Sequence, residues 1–485
     1  MKILILTEGN SEIGFGHVTR CLSLYQAFKL KELSIELMVN GDSTIEPLLK
    51  DTEYTIFNWL DDSSKIFDYL NDFDIVIVDS YLADAEFYKC LSEIVSLGVY
   101  IDDNNRISYP KGLVVNGSIF ADKLDYPSLN GVDYLLGSEF ISLRREFWIV
   151  PVKKLVRNVE SVMVTFGGDD LRNLTPHILR MLVEEYPKLY KKVVIGGGFK
   201  KNSKILDVID CNTELIYYPN AQVMLKLMLE SDIAVSAGGQ TLYELARVGV
   251  PTIAIGVASN QTHNLENWHK IGFIEYVGFW NDINLLNNVI NKMNSFNDVS
   301  TRIRKCEIGR GYVDGKGAFR IVRYCLNKYY TDKIRLRTLE STDINNIYNL
   351  SNDDIIRLNS FNTDKIRFED HVKWFEQKIL DNNNLFLVTE IDNDFAGQVR
   401  FDFKGDGAVV SLSITKKYRK LGLGVNILEK SIEYLRLNAS FIKIINAYIK
   451  EDNKSSVNLF EKTGFKFVKM VNLDNQRALN YIYKI

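Results

Sequence analysis

Cysteine is scarce and unpatterned in this chain. Five residues in 485 (Cys21, Cys90, Cys211, Cys306 and Cys325) are odd in number and widely spaced, and no C-x-x-C pair occurs. That excludes a disulfide framework and a cysteine-based metal site, and it fits reduced, mostly buried thiols in a cytoplasmic protein. No apolar run approaches the length of a membrane span. Glu8 and Asn10 interrupt the opening stretch Met1 to Thr7 too early for a signal peptide, so the stretch reads as a short buried strand. Positive charge is not concentrated either. Lys plus Arg number 59 against 62 Asp plus Glu, for a net charge of −3, and without a basic cluster nucleic acid is excluded as a partner. Internal repeats and low-complexity segments are missing. The G-x-G-x-x-G fingerprint and the P-loop are missing too, so no common nucleotide signature applies.

What the chain does have is a hydrophobic content of 46%, ample for about three domains of ordinary size. Short apolar runs alternate with helical patterns at Ile3 to Leu6, Ile35 to Val39, Ile75 to Asp79, Val99 to Asp102 and Leu113 to Val115. This rhythm predicts a parallel sheet covered by helices. A second series runs through Val162 to Thr165, Val193 to Ile195, Ile233 to Val235 and Thr252 to Ile255, and closes near the helical stretch Ala318 to Tyr330. Val152 to Asn158 reads as the hinge between the two series. After Asp332 the rhythm changes. Leu385 to Glu390, Gly397 to Phe403 and Ala408 to Ile414 are consecutive strands with short connections, which predicts antiparallel pairing in a third domain. The expected domains are 1–155, 156–330 and 334–485, with an α/β fold of two Rossmann-like domains followed by an α+β domain.

Two glycine-led turns stand where an apolar strand passes into a helix. The first is Glu12-Ile-Gly-Phe-Gly-His-Val-Thr-Arg20, with a helix expected from His17 to Phe28. The second is Ser236-Ala-Gly-Gly-Gln-Thr-Leu-Tyr-Glu244, with a helix expected from Thr241 to Arg247. Glycines there admit a ligand to the backbone, and the first-turn amides attract anions. One such turn in each of two successive α/β halves points to a sugar nucleotide in the cleft between them. The alternative is that both are packing glycines in ordinary turns. His17 adds a titratable group at the first turn, where the helix dipole disfavours the imidazolium and suits a neutral base.

In the third domain the strand Val409 to Ile414 runs into Tyr418-Arg-Lys-Leu-Gly-Leu-Gly424. Arg419, Gly422 and Gly424 fit R-x-x-G-x-G, whose amides can cradle a pyrophosphate at a helix start. With Asn453-Lys-Ser-Ser-Val-Asn-Leu-Phe-Glu-Lys-Thr-Gly-Phe465 downstream, residues 334–485 resemble the GCN5-related N-acetyltransferase family. The resemblance implies acetyl-CoA as co-substrate, with no bound cofactor and no metal. Pyrophosphate would lie on the loop Arg419 to Gly424, Leu423 included. The pantetheine arm would pair with a splayed strand near Leu412 and Ile414, with Asn453, Ser456 and Phe460 completing the site. The family's thiolate-protonating tyrosine is replaced here by Phe460, so Tyr418 or a bound water would have to serve. His371 and Trp374, at i, i+3 helical spacing, either face the acceptor or form a packing pair.

Over residues 1–330, the segments Ile13 to Arg20, Val78-Asp-Ser-Tyr81, Ile101-Asp-Asp103, Leu136 to Phe140, Leu143 to Phe147, Phe166-Gly-Gly-Asp169, Ser236 to Gly239 and Ala258-Ser-Asn-Gln261 resemble the UDP-2,4-diacetamido-2,4,6-trideoxy-β-L-altropyranose hydrolases of pseudaminic acid biosynthesis. These are GT-B-like proteins. The resemblance implies His17 as the base that activates water, with Tyr81 and Asn260 near the sugar or water. Gly238, Gly239, Gln240 and Thr241 would hold the diphosphate, and Glu244 would accept from ribose hydroxyls. Gly14, Gly16, Arg20, Arg144 and Asn173 would complete the UDP-sugar site. Gln240 departs from the serine or threonine usual after the two glycines. The implied activity is bifunctional: acetylation of a UDP-4-amino sugar, then hydrolysis of the diacetylated product to free sugar and UDP. Membrane association and an obligate protein partner are not expected. A glycosyltransferase using the same cleft, or a non-catalytic sugar-nucleotide holder serving the acetyltransferase, are the rival readings.

Overall fold

The computed structural model describes residues 1–10, 13–50, 52–61, 63–168, 170, 172–199, 203–473 and 476–485. Glu12 and Asp169, which belong to two of the motifs above, lie outside the described residues. The chain forms two compact units, Met1–Val322 and Arg323–Ile485. Among the described residues no helix is long and apolar enough to cross a membrane.

The first unit contains two sheets. Strands β1 (Lys2–Gly9), β2 (Ser34–Gly41), β3 (Tyr54–Ile56), β4 (Ile75–Asp79), β5 (Leu97–Ile101), β6 (Gly112–Asn116) and β7 (Val132–Leu136) form the first, in the order β3-β2-β1-β4-β5-β6-β7. Strands β8 (Ser161–Thr165), β9 (Tyr190–Ile195), β10 (Thr213–Tyr217), β11 (Ile233–Ala237), β12 (Thr252–Gly256) and β13 (Ile274–Phe279) form the second, in the order β10-β9-β8-β11-β12-β13. All pairs are parallel. The central strands are buried on both faces, and so β1 and β4 are continuous aliphatic runs without alternation. Each sheet reverses its strand order once, between β1 and β4 and between β8 and β11. At such a switch point the connections leave toward opposite sides and open a crevice beyond the carboxyl ends of the strands.

Segments that follow β6 and β7 join the core of the second sheet, while the strands of the first pack in a cluster of their own. Ile119, Phe120, Leu143, Phe147 and Val150 belong to one apolar cluster with Met163, Leu242, Trp268 and Phe273. The end of the unit also packs back on residues 138–148. Buried Arg247 donates to the carbonyls of Phe147 and Trp148, and a Cβ at Gly317 would meet the Ile141 carbonyl. A boundary at residue 155 therefore crosses a common core.

The second unit is one mixed sheet. Its strands are β14 (Ile334–Thr338), β15 (Asn384–Ile391), β16 (Asp394–Lys404), β17 (Gly407–Ile414), β18 (Ile444–Lys450), β19 (Lys466–Leu473) and β20 (Gln476–Lys484), in the order β14-β15-β16-β17-β18-β20-β19. All pairs are antiparallel except β17 with β18, whose crossover is the helix Leu423–Asn438. β17 stays paired with β16 through Ile414, yet it pairs with β18 only over Gly407 to Val409. Beyond Val409 the two strands splay, leaving backbone groups on both without a ladder partner.

Candidate functional site

The first switch point gathers an interlocked polar cluster. Helix Gly16–Lys29 starts just after β1, and His17 lies in its first turn. β4 ends at Asp79, which is fully buried. His17 Nδ1 is 2.6 Å from Asp79 Oδ1. A carboxylate can only accept, so this 2.6 Å contact, shorter than the 3.1 Å approach of Arg20 Nη2 to the same nitrogen, puts the hydrogen on Nδ1 and leaves Nε2 as the basic nitrogen. Among the described residues no hydrogen bond engages Nε2. Arg20, one turn after His17, donates through Nε and Nη2 to Asp79 and through Nη1 to Asp103, 2.7 Å away. Burial alone would raise the Asp79 carboxyl, but the Arg20 guanidinium and His17 beside it hold it well below the usual carboxylate range. The Tyr81 hydroxyl donates to Asp103 at 2.5 Å, and its ring meets the His17 ring edge-on at 4.6 Å. Burial and then Asp103 push the Tyr81 phenol upward, so it remains protonated. Buried Glu8, at the end of β1, accepts from the Tyr81 amide and the Ser80 hydroxyl and fixes this turn. Arg20 is thus committed to two carboxylates and supplies no free cation for a nucleotide.

At the second switch point the turn Gly238 to Gln240 leads into helix Thr241–Val248. A Cβ at Gly238 would lie 2.6 Å from the Leu265 side chain. The Gly238 carbonyl accepts from Asn264 Nδ2 at 2.7 Å, Asn264 Oδ1 accepts from the Tyr243 hydroxyl at 2.6 Å, and that hydroxyl accepts from the Ile119 amide. This relay ties the turn to the segment that follows β6. Gln240 donates through Nε2 to the Ser142 carbonyl. Glu244 is also otherwise engaged. It forms a two-pronged ion pair with Arg144 (2.6 and 2.7 Å), so neither residue offers its charge to a ribose or phosphate in this arrangement. Residues 142–144 reach the first helix as well, since the Leu143 carbonyl accepts from Ser23. Asn173 is the left-handed residue that opens helix Leu174–Glu185 beyond β8. Asn260 is exposed in the short turn Ser259–Gln261. Its neighbour Gln261 accepts from the Gly238 and Val257 amides.

In the second unit the splay opens into a cleft of about 1280 Å³. Leu412, Ile414, Arg419, Gly422, Leu423, Gly424, Asn453, Ser456 and Phe460 all line it. Gly422 has φ +84°, and a Cβ at Gly424 would lie 2.3 Å from Leu459. Gly424 is thus also a close-packing residue for helix Lys454–Lys462, where a side chain would strike Leu459. Arg419 turns back to donate to the Ile414 carbonyl (2.6 Å) and to pair with Asp353 (2.8 Å), bracing the loop. Asn453 caps helix Lys454–Lys462 through the Ser456 amide. The Tyr418 hydroxyl approaches the Ile391 carbonyl and Asp394, each at 3.4 Å. His371 is buried among Tyr348, Trp374 and Phe375 and donates through Nε2 to the Ile344 carbonyl, so packing accounts for most of its surface. Desolvation lowers its pKa and keeps it neutral.

Two fold classes are therefore present: a pair of parallel sheets, each with a switch point, in one unit, and a splayed mixed sheet with a cleft in the other. Residues 345–465 match the acetyltransferase (GNAT) family. The whole chain is 23% identical to an uncharacterized protein of Methanocaldococcus jannaschii, with full coverage of both. It is 25% identical, over 68% of its length and 99% of the relative, to the spore coat polysaccharide biosynthesis protein SpsG of Bacillus subtilis. Over 57% of the chain and 48% of the relative it is 23% identical to the pseudaminic acid cytidylyltransferase and UDP-2,4-diacetamido-2,4,6-trideoxy-beta-L-altropyranose hydrolase of Helicobacter pylori. The protein is an enzyme that fuses a part homologous to these sugar-pathway proteins with a GNAT domain.

Sequence reasoning missed Asp79, Asp103, Glu8 and Asn264. For Asp79 a signal existed, since a carboxylate ending an apolar parallel strand sits at the edge of the crevice.

Proposed function

We propose that the first unit hydrolyses a UDP-linked diacetamido sugar to free sugar and UDP, and that the second acetylates the 4-amino precursor from acetyl-CoA. On this reading, residues 1–155 supply the base, 156–330 hold the nucleotide and 334–485 transfer the acetyl group, all in the cytoplasm. The His17 to Asp79 pair carries the hydrolase reading. It fixes the tautomer that leaves Nε2 able to take a proton from water, and it stabilises the imidazolium that results. The activated water attacks the anomeric carbon, the bond to the diphosphate oxygen breaks, and UDP leaves as an anion needing electrostatic support more than a proton. The amides opening helix Thr241–Val248 are suited to that support, while Tyr81 and Asn260 would bound the sugar. The Arg144 to Glu244 pair would position this helix, or open to admit the ribose.

For acetyl transfer, the amino nitrogen attacks the thioester carbon, the carbon–sulfur bond breaks and CoA leaves. The unladdered edge of Val410 to Ile414 fits the amide groups of the pantetheine arm, and the loop Arg419 to Gly424 fits the pyrophosphate. Phe460 brings no proton, so the thiolate is protonated by Tyr418 or by water. The deciding experiment incubates the full chain with acetyl-CoA and UDP-4-amino-4,6-dideoxy-N-acetyl-β-L-altrosamine and follows products by NMR. Acetylation followed by release of free sugar and UDP without an added acceptor supports the reading. UDP release only with an added acceptor would replace hydrolysis with glycosyl transfer.

A further inference from the structure

We infer that Gln398 receives an N–H of the acceptor's amino group and so selects a neutral amine on an uncharged or anionic carrier, excluding polycations. This rests on the acetyl-transfer reading above and deepens it. Gln398 is 7% exposed, lines the cleft, and its Oε1 has no hydrogen-bond partner among the described residues. The other buried unpartnered oxygens of this unit, on Thr389, Thr415 and Asn480, do not line the cleft. A buried amide oxygen without a donor is costly to keep unless a ligand supplies one.

Its place in the sheet brings that oxygen to the reacting end. Gln398 on β16 lies directly opposite Ser413 on β17, inside the stretch where β17 has parted from β18. It is therefore about one strand spacing, roughly 4.8 Å, from the edge proposed to hold the thioester arm. Residues opposite one another share a face, so Gln398, Ser413, Arg400 and Ser411 form one polar wall of the cleft. Arg400 is paired with Asp402 and stacks over Trp374 at 5.4 Å.

The charge of the lining sets the acceptor class. Asp370 is the one carboxylate among the lining residues, whereas Arg323, Arg357, Lys420, Lys450 and Lys462 line the cleft without a salt bridge among the described residues. Such a lining repels polyamines and disfavours an ammonium ion. A carboxylate at position 398 would hold the ammonium form, whose nitrogen has no lone pair to attack with. The neutral Oε1 accepts one N–H of the free amine and leaves the lone pair available. It gains no proton in the step; the proton released when the C–N bond forms passes to water.

The test uses the full chain with acetyl-CoA and the same UDP-4-amino sugar. Gln398→Leu should raise the sugar KM by roughly tenfold or more with a smaller change in kcat. Gln398→Glu should move the acid limb of kcat, which reports the bound amine, to higher pH. The acetyl-CoA Kd, measured by calorimetry, should stay at the parent value in both and so report intact folding. Spermidine should be a far poorer substrate than the amino sugar. If the parent acetylates the sugar and both variants keep its KM within about twofold, the role of Gln398 is overturned while the acetyl-transfer reading stands. If the parent binds acetyl-CoA but acetylates only spermidine, both fall.

Discussion

At the residue scale, the hydrolase site depends on one imidazole held by one carboxylate. His17→Phe should lower hydrolysis by about 10² to 10⁴, the usual scale for a general base, and leave UDP binding and acetyl transfer intact. A variant within about threefold of the parent in UDP release would remove His17 from the mechanism. Asp79→Asn should also slow hydrolysis, because an amide can present its N–H to Nδ1 and stabilise the wrong tautomer. It should cost stability too, since Arg20 loses a buried partner; removing one member of such a pair typically costs about 3–5 kcal/mol. The pH dependence follows from sign. Asp79 has a depressed carboxyl in the folded state, so its stabilisation is present above the unfolded value near 3.9 and is lost as pH falls toward the folded one. Urea titrations of parent and Asp79→Asn from pH 7 to pH 3 should show a gap that is constant above about pH 5 and narrows below about pH 4 without closing by pH 3. A gap constant over the whole range would show that the ion pair is not the source. His17 itself was legible, because glycines mark its turn. The commitments of Arg20, Arg144 and Glu244 were not, because a sequence gives a charge its position along the chain but not its partner across the fold.

At the element scale, legibility followed burial. β1, β4, β8, β11 and β12 are each built on an apolar run because both faces are covered, and a run of that kind reads as a strand directly. β3 has three residues, Asp133 interrupts β7, the edge strand β10 is only half-buried and the edge strand β19 is largely exposed, so each lacks the pattern that would mark it. Asp79 reaches His17 only because β4 is laid beside β1 by a crossover, a long-range event that local patterning does not contain. The cleft loop offers a further test. Gly424→Ala would drive a methyl into Leu459 and should destabilise the second unit by about 1–3 kcal/mol, with weaker acetyl-CoA binding. Gly422→Ala at φ +84° should cost about 1–2 kcal/mol. Thermal shift and calorimetric titration on both variants check this, and wild-type binding by Gly424→Ala would show that the helix packing does not shape the loop.

At the scale of the whole molecule, the division at 322/323 predicts two separable activities. The division falls inside the helix Gly317–Thr331, so the cut belongs after that helix, near residues 331 to 334, and the first piece should then still hydrolyse the diacetylated UDP-sugar. Insoluble or inactive material from both pieces would refute the independence of the units. A cut near residue 155 should fare worse, because it severs the cluster joining Phe147 and Val150 to Leu242 and Trp268. That shared cluster also bears on heat absorption. The first sheet keeps a core of its own around Leu4, Val76, Tyr88 and Tyr100, but the segments that follow β6 and β7 give Ile119, Phe147 and Val150 to the core of the second, so neither sheet can unfold without uncovering side chains of the other. The first unit should therefore show a single endotherm whose calorimetric and van't Hoff enthalpies agree.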